Sequence, residues 1–428
     1  MLGLAGFGTV GSGLAKILDE NREVILRRTG RVIRIKSVLV RDPAKPRSWK
    51  LPEGAAFCTD MNALTNDPEI DVVVELIGGI EAAGKLVKAA LMAGKHVVTA
   101  NKAMLAEAGD ELFCLAADKG LALGYEASVC GGIPIVQTLR DSLSANRMTA
   151  VSGILNGTSN FILSAMTSKG MSFADALKEA QQLGFAEADP TLDIEGFDAA
   201  HKLVLLIRLA WGAHYPFDKL PVTGISKVAA EDIQFAREFG YNIKLLGHAH
   251  LEGESLEAGV FPTLVPKSYL LAKVGHSYNA VCVSGNAFAS LFLLGLGAGD
   301  LPTGSAALAD VLAISRAERP NHLVYFAPPL PVPNIIPPPG ASSPPYFPLH
   351  VQHKPGVMPD VAAILADNNI SIHQAMQKGH MEVVPFVFMT HEARAQDVEN
   401  AIRQIKACDF LHGDPVTYRV MPPPNGGD

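Results

Sequence analysis

The sequence predicts an α/β protein. A doubly wound parallel sheet comes first, an α+β domain built on an open sheet follows, and a small β-α-β-β-α-β module ends the chain. Three observations predict this order. A short apolar strand, Leu2 to Ala5, runs straight into Gly6-Phe7-Gly8-Thr9-Val10-Gly11, after which Leu14, Ala15, Ile17 and Leu18 recur at helical spacing. After about Ala127 the composition changes, and βα alternation gives way to helices and separate strands. From Phe347 the elements fall in the order of a ferredoxin-like module of about 75 residues.

Composition sets limits. A length of 428 residues suits two or three domains, and 48% hydrophobic residues supply an ample core. The formal charge of −7, with no block rich in Lys or Arg, excludes a nucleic-acid surface. Five scattered cysteines (Cys58, Cys114, Cys130, Cys282, Cys408) form no CxxC, which argues for a reducing cytosol and against a disulfide frame or a zinc site. No uninterrupted apolar segment reaches about 18 residues, the length a membrane span needs. The start lacks a basic leader, so the expected location is the cytoplasm. The first strand begins almost at Met1, so a few native residues are expected to precede it.

In the first domain, strand, glycine turn and helix form the setting that makes GxGxxG a dinucleotide motif, the Rossmann type. Gly6 permits the turn, Gly8 lets backbone approach a pyrophosphate, and Gly11 lets helix pack on strand. The second strand, Ile33 to Val40, ends at Arg41-Asp42. Arg41 favours a 2′-phosphate and hence NADP, while Asp42 is placed to reach a ribose hydroxyl, so NAD stays open. Asp71 to Ile77 is a buried parallel strand. A helix from about Glu81 to Ala93 leads to the strand Lys95 to Thr99, which ends at Ala100-Asn101-Lys102. Ligands gather beyond the carboxyl ends of such strands, which marks Lys102. Leu121 to Glu126 is one more strand. Ser128 to Ile135 (SVCGGIPI) is a glycine-rich turn before a helix that runs to about Ser144. Its free carbonyls, with Glu126, can hold a hard cation.

The second domain opens with the strand Val151 to Leu155 and the polar cap Asn156 to Asn160. Phe161 to Met166 and Phe173 to Leu183 are helices, and Gly184 ends the second. The segment Leu183 to Lys202 then carries Glu187, Asp189, Asp193, Glu195, Asp198 and Lys202 ahead of the apolar run from Leu203. Asp198 and Lys202, four apart, share a helix face. Two readings fit them: a solvated helix start with a surface ion pair, or a pocket that holds an amino-acid ammonium with carboxylates and moves a proton with Lys202. Val260 to Val265 and Ala280 to Ser284 are strands of an open antiparallel sheet. Leu291 to Asp300 is apolar and glycine-rich. Leu301 to Ser305 then opens a helix, Ala306 to Ser315, that returns toward the cofactor.

Pro320 to Pro348 is rich in proline, predicts an extended linker outside any central sheet, and points to a loosely coupled tail. In the tail, Leu349 to Val351, Ile370 to Met376, Val383 to Met389 and Val416 to Val420 are strands, and Pro359 to Ala366 and Ala395 to Ala407 are helices.

Assembled, the motifs GFGTVG, ANKA, YEASVCGGIP, GILNGTSNFIL, LGFAEADPTLDIEGFDAAHK and GLGAGDLPTGSA closely resemble homoserine dehydrogenase over nearly all of residues 1–320, and the tail resembles an ACT domain, which binds amino acids. The resemblance implies an NADP-binding domain over 1–127, completed by about 296–319. It implies a catalytic and dimerisation domain over 128–295, a linker over 320–346 and an ACT domain over 347–421. It implies NAD(P)-dependent interconversion of homoserine and aspartate 4-semialdehyde on the route to threonine, methionine and isoleucine. Lys202 matches the general acid/base, Lys102 the lysine between cofactor and substrate, and Asp198, Glu187 and Gly184 the substrate contacts. Phe7, Gly8, Thr9, Val10, Arg41, Lys102, Gly184, Glu187 and Gly299 fall where the dinucleotide is held. Glu126, Val129, Gly131 and Ile133 match a sodium site, which Cys130 crowds or tunes. The family further implies a homodimer or homotetramer and threonine as inhibitor. In the tail, His353-Lys354-Pro355-Gly356 stands where an acidic residue is usual, which counts against that inhibition. Rival readings are another amino-acid or semialdehyde reductase and a catalytically silent amino-acid sensor. His201, His248, His250 and His373 show no metal spacing and are expected to be ordinary surface or core residues.

Overall fold

A computed structural model describes residues 1–317, 330–336, 342–343, 345–379 and 381–421. The chain forms two compact units. The first comprises Met1–Gly157, Asp198–Leu220 and Tyr278–Pro333, and the second Thr158–Phe197, Pro221–Ser277 and Asn334–Asp428.

In the first unit β1 (Leu2–Ala5) leads into α1 (Thr9–Glu20), followed by β2 (Ile35–Leu39), β3 (Ala56–Cys58), β4 (Val72–Glu75), α2 (Glu81–Met92), β5 (His96–Thr99), α3 (Lys102–Asp118) and β6 (Leu123–Gly124). The strands form one parallel sheet in the order β3-β2-β1-β4-β5-β6, with Leu4 opposite Val38 on one side and Val74 on the other. The order reverses between β1 and β4, so a crevice opens past their carboxyl ends, where this architecture binds ligands. The apolar runs seen in the sequence are the strands, buried on both faces as a parallel sheet requires. Helix α3 is absent from the sequence reading. Asn101 starts it, its side-chain oxygen accepting the Met104 N–H at 3.1 Å.

The same unit holds β7 (Met148–Ile154), α4 (Phe197–Trp211), β8 (Tyr278–Gly285), β9 (Ala289–Leu296) and α5 (Asp300–Arg316). β8 pairs antiparallel with β7 and with β9, Val281 facing Gly153 and Leu293. Helix α5 returns to α1, as expected. The helix after Ile135 is shorter than expected. One turn, Ile135–Gln137, widens at Thr138–Ser142, where the Leu143 N–H bonds Thr138 O.

In the second unit, strands Tyr241–Glu252 and Ser255–Pro266 form a long hairpin, with Leu246 opposite Phe261. The tail has the expected order: Pro345–Gln352, Val357–Asp367, Ile372–Gln377, Val383–Thr390, Ala395–Lys406 and Tyr418–Val420. Phe347, Leu349, Val361, Leu365, Phe386 and Ile405 fill its core. The expectation of a loosely coupled tail is corrected. Strand Tyr418–Val420 lies parallel to Ser255–Pro266, with Arg419 opposite Thr263, so the tail joins the hairpin's sheet. Tyr418 Oη donates to Asp232 Oδ2 at 2.5 Å, Arg419 meets Glu257 at 2.6 Å, and His350 meets Glu231 at 2.8 Å. Of the expected linker, residues 320–329, 337–341 and 344 lie outside the described ones. Within it Asn334–Ile335 does pair, against the Ser255 end of the hairpin. Among the described residues no helix is long and apolar enough to cross a membrane.

Candidate functional site

The glycine turn has the form a dinucleotide needs. Gly6 has φ +95°, and a Cβ there would meet Leu76 O at 2.6 Å. A Cβ on Gly11 would lie 2.3 Å from Gly6 O, so only glycine lets α1 approach the turn. Gly8 has open space on its side-chain face and stands at the start of α1. Backbone N–H groups and the positive helix end there suit a pyrophosphate. Thr9 is exposed and Val10 half-buried beside it. The Phe7 ring points instead into the core, 6.0 Å from the Phe57 ring, which leaves only its backbone for a ligand. Arg41 is exposed past β2. The loop after it adds Arg47, which the sequence did not single out. Its guanidinium lies over Phe57 at 4.4 Å and bonds the Asp42 carbonyl at 2.6 Å. Asp42 accepts the Ala44 N–H and so shapes this loop. Gly299, with φ +130°, caps α5.

At the end of β5 a polar frame fixes Lys102. Buried Glu75 accepts the Thr99 hydroxyl and the N–H groups of Ile77 and Gly78, and Asn101 bonds Gly79 O. Lys102 Nζ then lies 3.2 Å from Asp198 Oδ1. Lys202 Nζ donates to Asp198 Oδ2 at 2.8 Å and to Leu155 O at 2.6 Å. Asn156 donates to the same Oδ2 at 2.7 Å, and Asn279 donates to Leu155 O at 2.9 Å. Asp198 and Lys202 are 8% and 7% exposed, which removes the solvated ion-pair reading. Burial alone would raise the Asp198 carboxyl. Lys202 and Lys102, with hydrogen bonds from Lys202 and Asn156, outweigh it and hold the carboxyl far below its ordinary range. One buried carboxylate thus binds two ammonium groups from two helices. Asn156, missed by the sequence reading except as a cap, is its third partner. The GILNGTSN motif was the available signal.

The cation expectation falls on a buried acid beside an irregular loop. Glu126 is 3% exposed, and its oxygens accept the N–H groups of Val136 and Gln137. Burial, then the neighbouring Asp310, pushes its carboxyl up to about 7, and burial pushes Asp310 up to about 6. Arg140 is the nearest compensating cation, 4.0 Å from Asp310. Cys130 and Gly131 have φ +56° and +43°, which makes the loop irregular and turns its carbonyls out of any regular ladder. A buried acid with a strained carbonyl loop suits a small hard cation held by Glu126 and the carbonyls of Val129, Gly131 and Ile133. The Ile133 carbonyl already accepts the Ile135 N–H and would share it.

Gly184 and Glu187 lie in the second unit. Gly184, with φ +76°, ends a helix, and Glu187 is exposed. Asp189 caps its own turn through Thr191, a local role. Asp193 and Glu195 stay half-buried, and the Asp193 carbonyl accepts the Ser159 hydroxyl. His248 and His250 touch at 3.2 Å, and His373 lies against His391. Among the described residues no cluster of His, Cys, Asp and Glu has the makings of a metal centre. In the tail, Val351, His353, Lys354, Gly356, Gln377 and Phe386 line a cavity of about 330 Å³.

The chain is similar to several known proteins. Residues 134–312 match the family described as homoserine dehydrogenase, 6–126 its NAD-binding domain, and 349–410 the ACT domain. A homoserine dehydrogenase of Neisseria gonorrhoeae is 43% identical over 98% of both chains. A solved homoserine dehydrogenase from Thiobacillus denitrificans is 43% identical, with a TM-score of 0.92, over 98% of this chain and 97% of that one. A hyperthermophilic archaeal homoserine dehydrogenase, solved with NADPH, is 25% identical with a TM-score of 0.61, over 73% of this chain and 97% of that one.

Proposed function

The chain belongs to the homoserine dehydrogenase family of oxidoreductases, and from that premise we propose that it interconverts L-homoserine and L-aspartate 4-semialdehyde at the Lys102–Asp198–Lys202 cluster. The observation that carries the proposal is the single buried carboxylate held between two lysines, beyond the carboxyl end of a nucleotide-binding sheet. The nicotinamide, when bound, accepts or returns the hydride. Everything else falls to the protein. Lys202 Nζ, once it has given up its own proton, takes the proton from the substrate hydroxyl in one direction, and as the ammonium returns a proton to the carbonyl oxygen in the other. Asp198 keeps Lys202 and Lys102 aimed at that oxygen. The family resemblance assigns Glu187 and Gly184 to the substrate amine and to the cofactor. Phe7 (through its backbone), Gly8, Thr9, Val10, Lys102 and Gly299 hold the dinucleotide.

Arg41, with Arg47 beside it, supports NADP over NAD, in line with the NADPH in the archaeal relative. Glu126, with the carbonyls of Val129, Gly131 and Ile133, would hold Na⁺, which would offset the charge of the buried acid. The domains run as the family implies: 1–127 with 296–319 for the cofactor, 128–295 for catalysis and dimerisation, and 347–421 for regulation. The tail cavity is the place for an amino-acid inhibitor, but His353, Lys354, Pro355 and Gly356 in its lining count against threonine. The exposed edge of β9, with Leu294 at 56% and Leu296 at 44% exposure, supports a homodimer. Five unpaired cysteines support the cytosol.

The test is a steady-state assay with homoserine and each cofactor, with and without threonine, on the wild type and Lys202→Ala. The substitution is expected to cut turnover by ~10²–10⁴-fold, the scale of a general acid/base, while NADPH still binds. Undiminished turnover removes Lys202 from the reaction.

A further inference from the structure

Lys102 and Asp198 open two helices that run in the same direction. Three rungs join them in step: Lys102 to Asp198 at 3.2 Å, Glu107 to His201 at 2.9 Å, and Asp110 to Arg208 at 2.9 Å. Residue numbers climb together on α3 and α4, so the helices are parallel and both positive ends face the cluster. The middle rung lies next to the chemistry. His201 precedes Lys202 in sequence and sits one turn after Asp198. The residue is 5% exposed and its ring stacks on Phe217, with centroids 4.4 Å apart. Nothing in the reaction just described uses His201 or Glu107.

We propose that Glu107 and His201 are positioning residues, whose hydrogen bond sets the register of α4 against α3 and so fixes Lys202 and Asp198 relative to Lys102. The proposal rests on the reading of those three residues as the reacting centre. A helix that slips by a fraction of a turn carries Lys202 away from the substrate oxygen, and misplacement on that scale is costly. The charged groups that act on the imidazole are Glu107 and Lys102 on α3 and Asp198 on its own helix, with the uncharged Phe217 ring over one face. Burial lowers its pKa below the ordinary value, against the Glu107 hydrogen bond and the Asp198 charge, which raise it. At neutral pH the ring is therefore uncharged and donates from Nε2 to Glu107. Protonation adds a cation that Lys102 disfavours.

The test uses the full chain with Glu107→Gln, Glu107→Ala, His201→Gln and the His201→Gln/Glu107→Ala double variant. Turnover, both KM values and melting temperature are measured from mildly acidic to mildly alkaline pH. Glu107→Ala and His201→Gln are each expected to lower kcat between about 10- and 100-fold, the scale of a small misplacement, with the dinucleotide KM little changed. The double variant is expected to be no worse than the poorer single one. Glu107→Gln, which keeps an accepting oxygen, recovers most of the rate, and its acid limb moves to lower pH because the carboxylate that raised the imidazole is gone. The Glu107 side chain is 39% exposed, so its variants should fold. A Glu107→Ala protein with wild-type kcat and an unmoved pH profile overturns the proposal, as does additive loss in the double variant. The underlying reading fails differently: the wild type then forms no NAD(P)H from homoserine.

Discussion

Asp198 shows what a single residue can carry. Its carboxylate is buried, yet it stays charged because Lys202, Lys102 and Asn156 all bind it. Such a group stabilises the fold in proportion to its shift. The folded pKa lies below the unfolded value, so the contribution is complete above about pH 4, the ordinary aspartate range, and is lost as pH falls toward the folded value. Asp198→Asn leaves two buried or half-buried ammonium groups without their counter-charge. The expected loss is about 3–5 kcal/mol at pH 7, the scale for breaking a buried pair, together with loss of turnover. In acid-range melts the gap between wild type and variant should narrow below about pH 4, as the carboxyl of the unfolded wild-type chain takes up a proton that the folded one still refuses. A gap that holds constant through that range would mean that Asp198 is not the charged centre of the cluster. The Asp198–Lys202 pair was legible in the sequence because helical spacing of four brings two side chains together. Lys102 was legible as a strand-end residue, but its contact with Asp198 was not, because no spacing rule links two separate helices. The orientation of Phe7 was hidden for a related reason: a motif fixes backbone, and packing decides where the ring goes.

Among elements, those with simple burial were legible. The parallel strands are unbroken apolar runs, and the glycine turn has an unmistakable spacing. Strand Tyr241–Glu252 escaped because Ile243 to Gly247 are buried without a break, which erases the alternation that marks a half-buried strand. Helix α3 escaped although Asn101 and a run of good helix formers announce it. The returning helix α5 was read from its glycine-rich approach, and its packing explains two further glycines. A Cβ on Gly13 would lie 2.3 Å from Asp300 O, and one on Gly304 2.7 Å from the Leu14 nitrogen. Gly13→Ala must therefore push α1 and α5 apart, at a cost of about 1–3 kcal/mol for overpacking. Because α1 carries the pyrophosphate end, the dinucleotide KM should rise several-fold, while Lys202-dependent proton transfer, measured at saturating cofactor, changes little. An unchanged dinucleotide KM would show that the α1–α5 contact does not shape the cofactor site.

At the scale of the whole molecule, the tail is where sequence reasoning and structure part. Proline content speaks only for the segment that carries it; where the far strand of the tail lands is set by pairing between distant segments. In the second unit, Tyr418–Val420 covers one edge of Ser255–Pro266, and the Met421 N–H bonds Leu264 O beyond it. Tyr346 and Tyr418 are buried against each other with ring centroids 5.8 Å apart, Phe239 packs on Tyr346, and the Tyr418 hydroxyl satisfies the buried Asp232 carboxylate. The tail is thus a structural neighbour of the hairpin as well as a regulatory candidate. A chain ended after residue 336 would bare the end of that strand at Thr263 and Leu264, and natural sheets avoid a bare edge because it recruits other chains. The expected product scatters light as larger species and melts below the full chain. Tyr418→Phe is the milder companion. It leaves the Asp232 carboxylate without its phenol donor, at a cost of about 1–3 kcal/mol, and should lower the melting temperature while kcat for homoserine stays at the wild-type level. If the shortened chain keeps the full chain's association state and melting temperature, the shared sheet adds nothing to stability, and the tail is held by its linker alone.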